Sequence, residues 1–309
     1  MMNVTSPYPQ DLRGELTFDT PLAPLTSWRT GGHADRLYRP ADLDDLRNFL
    51  GQLPEDEPVL WLGLGSNLLV RDGGLRGTVI ATHARLGGLY RFGDHGLHAE
   101  VGVPCAKVAR LAAREGLAGA SFFAGIPGTL GGALAMNAGA FGGETWPLVV
   151  RVETVNRRGE LAVLGSDEFE VAYRQVKCRA AKEYWFVSAE LSLRPGADPD
   201  ELQVEIRQLL SRRAASQPTG VASCGSVFRN PPGDYAGRLI EAAGLKGLVR
   251  GGARVAERHG NFILNSGAAT ASDIEDLILE IQARVAAHSG VHLEPEVRIV
   301  GERGGRNGR

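Results

Sequence analysis

Several kinds of residue and segment are scarce in this chain. Its 309 residues include three cysteines, Cys105, Cys178 and Cys224, too few and too scattered for a disulfide framework or a zinc site. This scarcity indicates a reducing, cytoplasmic environment, and we expect no bound metal. No apolar run approaches the roughly 18 residues that span a bilayer, and residues 1–16 lack the basic start and apolar core of a signal peptide.

Lysine is also scarce, whereas arginine is not. Only four of the 34 basic residues are lysines, and with 36 acidic residues the formal net charge is −2. A balance so close to neutral argues against general binding of nucleic acids or anionic membranes. Arginine offers planar, bidentate recognition of phosphate and carboxylate groups.

Glycine, in contrast, is abundant, and it is densest in one nearly uncharged run. Residues 125–143 read GIPGTLGGALAMNAGAFGG and contain seven glycines. Each glycine loses more backbone freedom on folding than any other residue. Such a density therefore predicts either a positive φ or a close approach to a ligand held by main-chain N–H groups. The alternative is a tight buried loop packed against a helix.

A second glycine segment lies between two short apolar runs. Val59–Leu62 and Leu68–Val70 read as strands, and residues 63–67, GLGSN, read as the turn between them. The third glycine of the dinucleotide-binding fingerprint is missing, which excludes a Rossmann fold. The N–H groups of this turn and the Ser66 hydroxyl would suit a pyrophosphate.

The remaining chain mixes helical and strand patterns without a regular βαβ alternation, which predicts an α+β fold. Helices are expected at residues 42–50, 104–114, 199–213, 234–243 and 272–287. Strands are expected at 78–81, 97–103, 149–156, 160–164, 184–193 and 297–300. Ser272 and Glu275 have the spacing of a capping box, so we expect the last helix to begin there.

These patterns divide the chain at a linker, residues 194–198. We expect an N-terminal extension (1–20), a cofactor domain (21–196, with lobes of about 21–82 and 83–196), an α+β domain (197–303) and a disordered tail (304–309).

Four sets of motifs follow one another along the chain. They are SWRTGG at 27–32, GLGSNLLV at 63–70, GIPG at 125–128, and a C-terminal set of GSVFRNP at 225–231, HGNFILN at 259–265 and LEPEV at 293–297. In this order and spacing they closely resemble the UDP-N-acetylenolpyruvoylglucosamine reductases, the MurB flavoenzymes of bacterial cell-wall synthesis. The resemblance covers roughly residues 20–302.

The resemblance implies a fold and two cofactors. The fold would be α+β, with a two-lobed FAD-binding domain of the vanillyl-alcohol-oxidase (PCMH) type and a smaller α+β substrate-binding domain. FAD would be non-covalent, because no histidine precedes a cysteine in a flavin-linking pattern, and NADPH would reduce it. The substrate would be UDP-N-acetylglucosamine-enolpyruvate, and a monomer is expected. The implied FAD-binding residues are Arg29, Gly31, Gly63, Gly65, Ser66, Asn67, Leu68, Gly125, Ile126, Pro127, Gly128, Gly131, Gly132, Asn137 and Gly139.

The resemblance also implies three catalytic residues. Hydride addition to an enolpyruvyl double bond pushes charge towards the substrate carboxylate, so cationic or donating groups must stabilise that charge. Arg174 would bind the carboxylate, Ser226 would deliver the proton, and Glu296 would assist at the enolate. The chain departs from the family pattern near Arg174, where Val176 replaces the usual serine and Phe169 lies four residues before Tyr173 rather than two. Strand alternation would place Glu294 and Glu296 on one face, and only the motif favours Glu296.

The resemblance also implies contacts to the nucleotide and to the rest of the substrate. Tyr173, Arg229, Asn230 and His259 are the candidate substrate contacts, with Arg229 at a position that is commonly lysine. A core position is an equal alternative for His259, and Met136 and Phe141 are expected to pack rather than to stack on the flavin. The chain is compact where other members insert a loop carrying a tyrosine lid, so it resembles the shorter class.

Two other functions remain open from the residues. Another flavin oxidase or dehydrogenase acting on a sugar or alcohol would explain the N-terminal glycines, but not GSVFRNP together with LEPEV. A non-catalytic flavin or UDP-sugar binding protein would fit best if Arg174, Ser226 or Glu296 were missing.

Overall fold

A computed structural model describes residue 9 and residues 11–180 and 183–304 of the chain. Residues 1–8 and 10 of the expected N-terminal extension and residues 305–309 of the expected disordered tail therefore lie outside the described residues. The helices are α1 (Leu43–Gly51), α2 (Cys105–Arg114), α3 (Leu130–Met136), α4 (Pro199–Ser216), α5 (Ala236–Ala242) and α6 (Ala271–Ser289).

The strands are short and numerous. They are β1 (Glu15–Pro21), β2 (His33–Arg39), β3 (Val59–Leu62), β4 (Leu68–Val70), β5 (Leu75–Ala81), β6 (Leu89–Phe92), β7 (Gly96–Glu100), β8 (Gly139–Ala140), β9 (Gly143–Glu144), β10 (Val149–Val155), β11 (Leu161–Gly165), β12 (Phe169–Ala172), β13 (Gln175–Cys178), β14 (Trp185–Ser192), β15 (Val249–Arg250), β16 (Ala253–Val255), β17 (Ile263–Asn265) and β18 (Arg298–Val300).

The chain forms two compact units, each assembled from three segments. Unit 1 comprises the segment that ends at Thr17, Leu37–Gly63 and Thr78–Leu210, and unit 2 comprises Phe18–Arg36, Leu64–Gly77 and the segment that starts at Ser211. Each unit has a hydrophobic core of its own. The domain boundaries expected from the sequence describe continuous segments and stay a prediction.

Unit 1 contains a five-stranded sheet in the order β11-β10-β14-β7-β6, whose neighbouring strands are all antiparallel. A second sheet has the order β1-β2-β5-β3, and its β3 and β5 run parallel. Helix α1 packs Leu46, Phe49 and Leu50 into the core, and the side chain of Asp42 accepts a hydrogen bond from the N–H of Asp45 at its N-terminus. This amphipathic pattern is the one that predicted the helix.

Unit 2 is organised around α6, which packs against a three-stranded sheet in the order β15-β16-β17. The core face expected for α6 is confirmed, because Ile274, Leu277, Ile278, Ile281 and Val285 are all buried. A separate parallel pair, β4 and β18, joins residues 68–70 to residues 298–300.

The capping box expected at Ser272 and Glu275 is wrong. Helix α6 begins at Ala271, one residue before Ser272, and its capping box is formed by Thr270 and Asp273. Glu275 instead accepts hydrogen bonds from Arg71 at 2.9 Å, and the Ser272 hydroxyl donates to Asp72 at 2.6 Å. Both side chains bond to residues about 200 positions away in the sequence. They therefore do not form the capping box that their local spacing predicted.

Other boundaries differ by a few residues. Helix α4 continues to Ser216 rather than 213, α5 starts at Ala236 rather than 234, and β7 ends at Glu100 rather than 103. The glycine run also contains helix α3, which the sequence did not predict because glycine disfavours helices.

Candidate active site

The GLGSN turn presents free main-chain donors. Among the described residues, the N–H groups of Leu64, Gly65 and Ser66 donate no hydrogen bond. Gly65 has a φ of +59°, and a Cβ there would collide with the carbonyl oxygen of Leu25. Successive N–H groups around a left-handed residue form a concave anion site. In unit 2 this turn fits a pyrophosphate, while Gly63, in unit 1, packs against Thr129.

The segment that carries Arg29 and Gly31 is anchored within unit 2. The indole N–H of Trp28 donates to the Ile263 carbonyl at 2.8 Å, and the Asn265 side chain donates to the Trp28 carbonyl at 2.8 Å. Arg29 is exposed with a φ of +55°, and Gly31 has a φ of +124°. The buried tryptophan thus fixes the backbone from which Arg29 extends.

In the glycine run, most close approaches are made by the protein itself. A Cβ at Gly125 would collide with the Phe141 ring, and one at Gly131 would lie 2.9 Å from the Val101 side chain. A Cβ at Gly139 would meet the Gly143 carbonyl, whereas one at Gly132 would have no neighbour within 4 Å. The tight packed loop therefore explains several of these glycines, and Gly132 offers the open backbone.

Two of the N–H groups expected to hold the cofactor are already used. Ile126 and Gly131 donate to the carbonyls of Phe123 and Val101 at 3.1 and 3.0 Å. The N–H groups of Gly128 and Thr129 donate no hydrogen bond within the part of the chain that the structure describes. The candidate N–H donors at this end of the run are thereby narrowed to Gly128 and Thr129, since Ile126 is buried with its N–H bonded and the exposed Pro127 has no N–H.

Asn137 is buried at the end of α3 in a left-handed conformation, with a φ of +45°. Its side chain donates to Glu144 at 3.0 Å and accepts from the N–H of Trp146 at 3.0 Å. Both ends of its carboxamide are therefore bonded within the protein, and its backbone carbonyl accepts a hydrogen bond from Arg174 at 3.3 Å.

Arg174 lies at the tip of the β12–β13 hairpin, in the two-residue turn after Ala172. Its φ is +56°, a conformation that costs a side-chain-bearing residue free energy and that concentrates at functional sites. The guanidinium stands 5.0 Å from the centre of the Tyr173 ring. Tyr173 lines an open groove of about 720 Å³ together with Asn137, Trp146 and Phe169.

In unit 2, the strand-like segment after Ser226 lies between two others. Val227 donates its N–H to Asn261 at 2.9 Å and accepts at its carbonyl from Glu296 at 2.7 Å. Phe228 forms an antiparallel bridge with Pro295. The structure thus brings GSVFRNP, HGNF and LEPEV together. No side chain or backbone group among the described residues bonds to the Ser226 hydroxyl.

The two glutamates of LEPEV have different surroundings, although alternation suggested the same face. Glu294 is exposed, and Glu296 is half-buried beside Cys224. Burial and the charge of Glu296 raise the pKa of the Cys224 thiol well above its usual range. The two carboxylates therefore do not share one environment, and the choice of Glu296 as the catalytic residue stays a prediction.

Asn67 connects the glycine turn to Glu296. Its side chain donates to the Glu296 carbonyl at 3.0 Å, and its own carbonyl accepts from the N–H of Arg298 at 3.0 Å. Leu68, buried in β4, pairs with Arg298 in β18. The turn expected to hold the cofactor and the expected catalytic glutamate therefore share one hydrogen-bonded framework.

The candidate nucleotide contacts Arg229, Asn230 and His259 lie in the last segment of unit 2. The side chain of Asn230 accepts from the N–H of Ala236 at the start of α5, at 3.1 Å, and the N–H of Arg229 donates to Glu294 at 2.9 Å. His259 accepts at Nδ1 from the N–H of Asn261 at 3.2 Å, so a neutral ring carries its proton on Nε2. Burial, supported by nearby Lys246, lowers the pKa of His259 below its usual range.

The residues expected to bind FAD fit such a group. In unit 2, the free N–H groups of the GLGSN turn and the exposed Arg29 are donors suited to a diphosphate. In unit 1, considered by itself, Gly128 and Thr129 offer two further free N–H groups. Residues 34–165 match the model of the FAD binding domain. Within the described residues, no helix is long and apolar enough to cross a membrane, and no group of three metal-ligating side chains occurs. Fold and site together define a flavin-dependent oxidoreductase with a separate substrate-binding region.

Similarity of the C-terminal part to known proteins narrows this class of flavin-dependent oxidoreductases. Residues 217–300 match the C-terminal domain of UDP-N-acetylenolpyruvoylglucosamine reductase. The chain is 61% identical over 289 residues to the protein of that name from Alkalilimnicola ehrlichii, covering 94% of this chain and 96% of the relative. It is 60% identical to that from Methylococcus capsulatus, covering 94% of each. The crystal structure of the Thermus caldophilus enzyme superimposes with a TM-score of 0.78 at 31% identity, covering 93% of this chain and 99% of that one.

The chain belongs to the UDP-N-acetylenolpyruvoylglucosamine reductase (MurB) family. It is an FAD-dependent reductase of UDP-N-acetylenolpyruvoylglucosamine in peptidoglycan precursor synthesis. The fold expected from the sequence, α+β with a vanillyl-alcohol-oxidase-type FAD-binding domain and a substrate-binding domain, is confirmed.

Sequence reasoning missed one residue that the geometry brings to the site. Asn261 is buried and bonds to the segment that follows Ser226. It lies within the HGNFILN motif, where only His259 was considered. A carboxamide that bonds to a backbone 33 residues away leaves no periodic signal in the sequence.

Proposed function

We propose that this chain uses NADPH as the reductant and Ser226 as the proton donor in its reduction of the enolpyruvyl group. When bound, FAD supplies the hydride that it has accepted from NADPH. The observation that carries the proposal is the pairing of Val227 with Glu296, which holds two candidate catalytic residues on adjoining segments.

Arg174 is proposed to bind the substrate carboxylate. Charge moves onto this carboxylate as hydride reaches the double bond, and a fixed guanidinium stabilises that charge. The hydrogen bond to Asn137 and the stacking on Tyr173 orient the guanidinium before the substrate arrives.

Ser226 is proposed to protonate the carbon next to the carboxylate. An alkyl hydroxyl is a weak acid, so it serves only when it is aimed at a strongly basic carbon. The absence of a protein partner among the described residues leaves its proton available for that transfer. Glu296 is proposed to assist at the enolate as a carboxyl group that is protonated or shares a hydrogen bond.

Arg229, Asn230 and His259 are proposed to bind the nucleotide, with Tyr173 as a further substrate contact. A neutral His259 would donate from Nε2 to a phosphate oxygen, since its Nδ1 already accepts from Asn261. We further propose that the enzyme acts as a cytoplasmic monomer, which light scattering after size-exclusion chromatography would test.

The two half-reactions test the proposal when they are followed by flavin absorbance. Ser226→Ala should bleach with NADPH at nearly the normal rate and should then be reoxidised by UDP-N-acetylglucosamine-enolpyruvate orders of magnitude more slowly. Equal slowing of both half-reactions would remove Ser226 as the proton donor. Fast reoxidation by air, but not by the substrate, would instead indicate an oxidase.

A further inference from the structure

The side chain of Asn261 holds the backbone of the segment that follows Ser226. Its carboxamide oxygen accepts from the N–H of Phe228 at 2.9 Å, and its carboxamide nitrogen donates to the carbonyl of the same residue at 2.8 Å. Both bonds are buried, and Asn261 itself is 3% exposed. The side chain therefore takes the place of a neighbouring strand, because it satisfies the donor and the acceptor of one residue together.

Asn261 is itself held from its other side. Its N–H donates to the His259 ring at 3.2 Å, and its backbone carbonyl accepts from Val227 at 2.9 Å. Asn261 thus makes three hydrogen bonds to Val227 and Phe228, the two residues directly after Ser226, and we call this set of bonds the Asn261 clamp. Such a set leaves the asparagine no alternative rotamer that keeps its hydrogen bonds.

The opposite edge of the segment is bonded to LEPEV. The Val227 carbonyl accepts from Glu296 at 2.7 Å and from Val297 at 3.3 Å, and the N–H of Arg229 donates to Glu294 at 2.9 Å. Every backbone polar group of Val227 and Phe228 is therefore bonded, and Asn261 supplies all the partners on one side. Gly225, with a φ of +79°, allows the chain to turn just before Ser226.

We propose that Asn261 is a positioning residue for proton delivery, which fixes Ser226 relative to Glu296 through the backbone of Val227 and Phe228. The inference rests on the role of Ser226 proposed above. Without the carboxamide, a buried N–H and a buried carbonyl of Phe228 lose their partners, and the segment must shift to find others. A displacement of about 1 Å at a reacting group slows a reaction about 100-fold.

Double-mutant kinetics on the FAD-loaded protein test the proposal. Asn261→Ala should keep its bound flavin and its rate of bleaching by NADPH, and should slow reoxidation by UDP-N-acetylglucosamine-enolpyruvate about 100-fold. In the Ser226→Ala background the same substitution should slow reoxidation by no more than about twofold, because residues that act as a unit are not additive. Losses that multiply in the double variant would overturn the proposal.

The asparagine also has an isosteric variant. Asn261→Asp keeps the acceptor for the Phe228 N–H but sets a second acceptor against the Phe228 carbonyl. Burial at this position and the facing carbonyl oxygen favour the neutral acid and so raise the pKa of the introduced carboxyl group far above its ordinary value. As pH falls from 8 to 6, this group should therefore gain a proton and be able to donate again. Its reoxidation rate relative to the unmodified enzyme should therefore rise over this range, and a ratio that stays constant or falls would contradict the clamp.

A control separates positioning from general loss of stability. Val285→Ala creates a cavity in the core face of α6, in the same unit, and should lower the melting temperature while both half-reactions keep their rates. If Ser226→Ala alone leaves reoxidation unchanged, the proton-donor role fails. If Ser226→Ala slows reoxidation and Asn261→Ala does not, only the positioning role fails.

Discussion

Three residues assigned to the site hold left-handed backbone conformations that most side chains avoid. Arg29, Asn137 and Arg174 have φ values of +55°, +45° and +56°. Each such conformation costs on the order of 1–3 kcal/mol and persists only where the surroundings enforce it. The cost at Arg174 is borne at the tip of a hairpin, where asparagine or glycine would be the ordinary choice.

Arg174→Asn should therefore separate stability from activity. Asparagine relieves the cost of the left-handed turn but loses the hydrogen bond of the guanidinium to Asn137, so the two effects should offset and the free energy of unfolding should change by no more than about 1 kcal/mol. Loss of the guanidinium should slow reoxidation by the substrate about 100-fold or more. Urea unfolding and the two half-reactions measure the two effects. Arg179→Ala, which alters the wall of the neighbouring groove, is the matched control and should leave the rate unchanged.

His259 should contribute to the pH dependence of stability. Its folded-state pKa is lowered by burial, so protonation favours the unfolded chain. Stability should be unaffected above the ordinary pKa of about 6.5, should fall as pH drops below it, and should level off below the folded-state pKa. His259→Gln should flatten this part of the profile of melting temperature between pH 7 and 5. An unchanged profile would assign the acid sensitivity to other groups.

At the scale of elements, the sequence predicted those whose signals are local. The apolar face that predicted α1, the proline and glycine (Pro104 and Gly116) that predicted the ends of α2, and the strand–glycine turn–strand of β3 and β4 are confirmed. The β12–β13 hairpin was missed, because its turn residues Tyr173 and Arg174 carry no turn signal.

The site shows the same division between local and long-range information. Motifs indicated Ser226, Glu296 and the glycine turns, but the bonds that bring them together join segments far apart in sequence. Asn67 donates to Glu296 across 229 residues. No pattern within a single window contains such a pairing.

The N-terminus of α6 provides an element-scale prediction. Asp72, from the loop after β4, accepts from the N–H groups of Ala271 and Ser272 at 2.9 Å each. A carboxylate at this end of a helix also interacts favourably with the helix dipole. Asp72→Asn should lower the free energy of unfolding by about 1 kcal/mol, measured in urea. Thr270→Ala, which removes only the local capping box, should cost a similar amount, and the flavin reduction rate of both variants should stay normal.

At the scale of the whole molecule, cofactor binding should be visible as stability. Segments from several parts of the chain supply the candidate FAD contacts, and a ligand that binds only the folded chain stabilises it by mass action. At an FAD concentration of about 100 times Kd, the gain should be about 2.7 kcal/mol. Thermal unfolding of flavin-free protein at increasing FAD concentrations checks this. A melting temperature independent of FAD concentration would contradict preferential binding of FAD by the folded chain.

The hydrogen bond from Trp28 to Ile263 also affects how the protein can fold during its synthesis. These residues are 235 positions apart, so a ribosome working at about 5–20 residues per second needs roughly 10–50 s to deliver the second after the first. During that interval the emerging chain that carries Arg29 and Gly31 has an exposed tryptophan without its acceptor, and it is a natural client for a chaperone. A stop codon shortly before position 263 would release a polypeptide in which this N-terminal segment can never complete its fold.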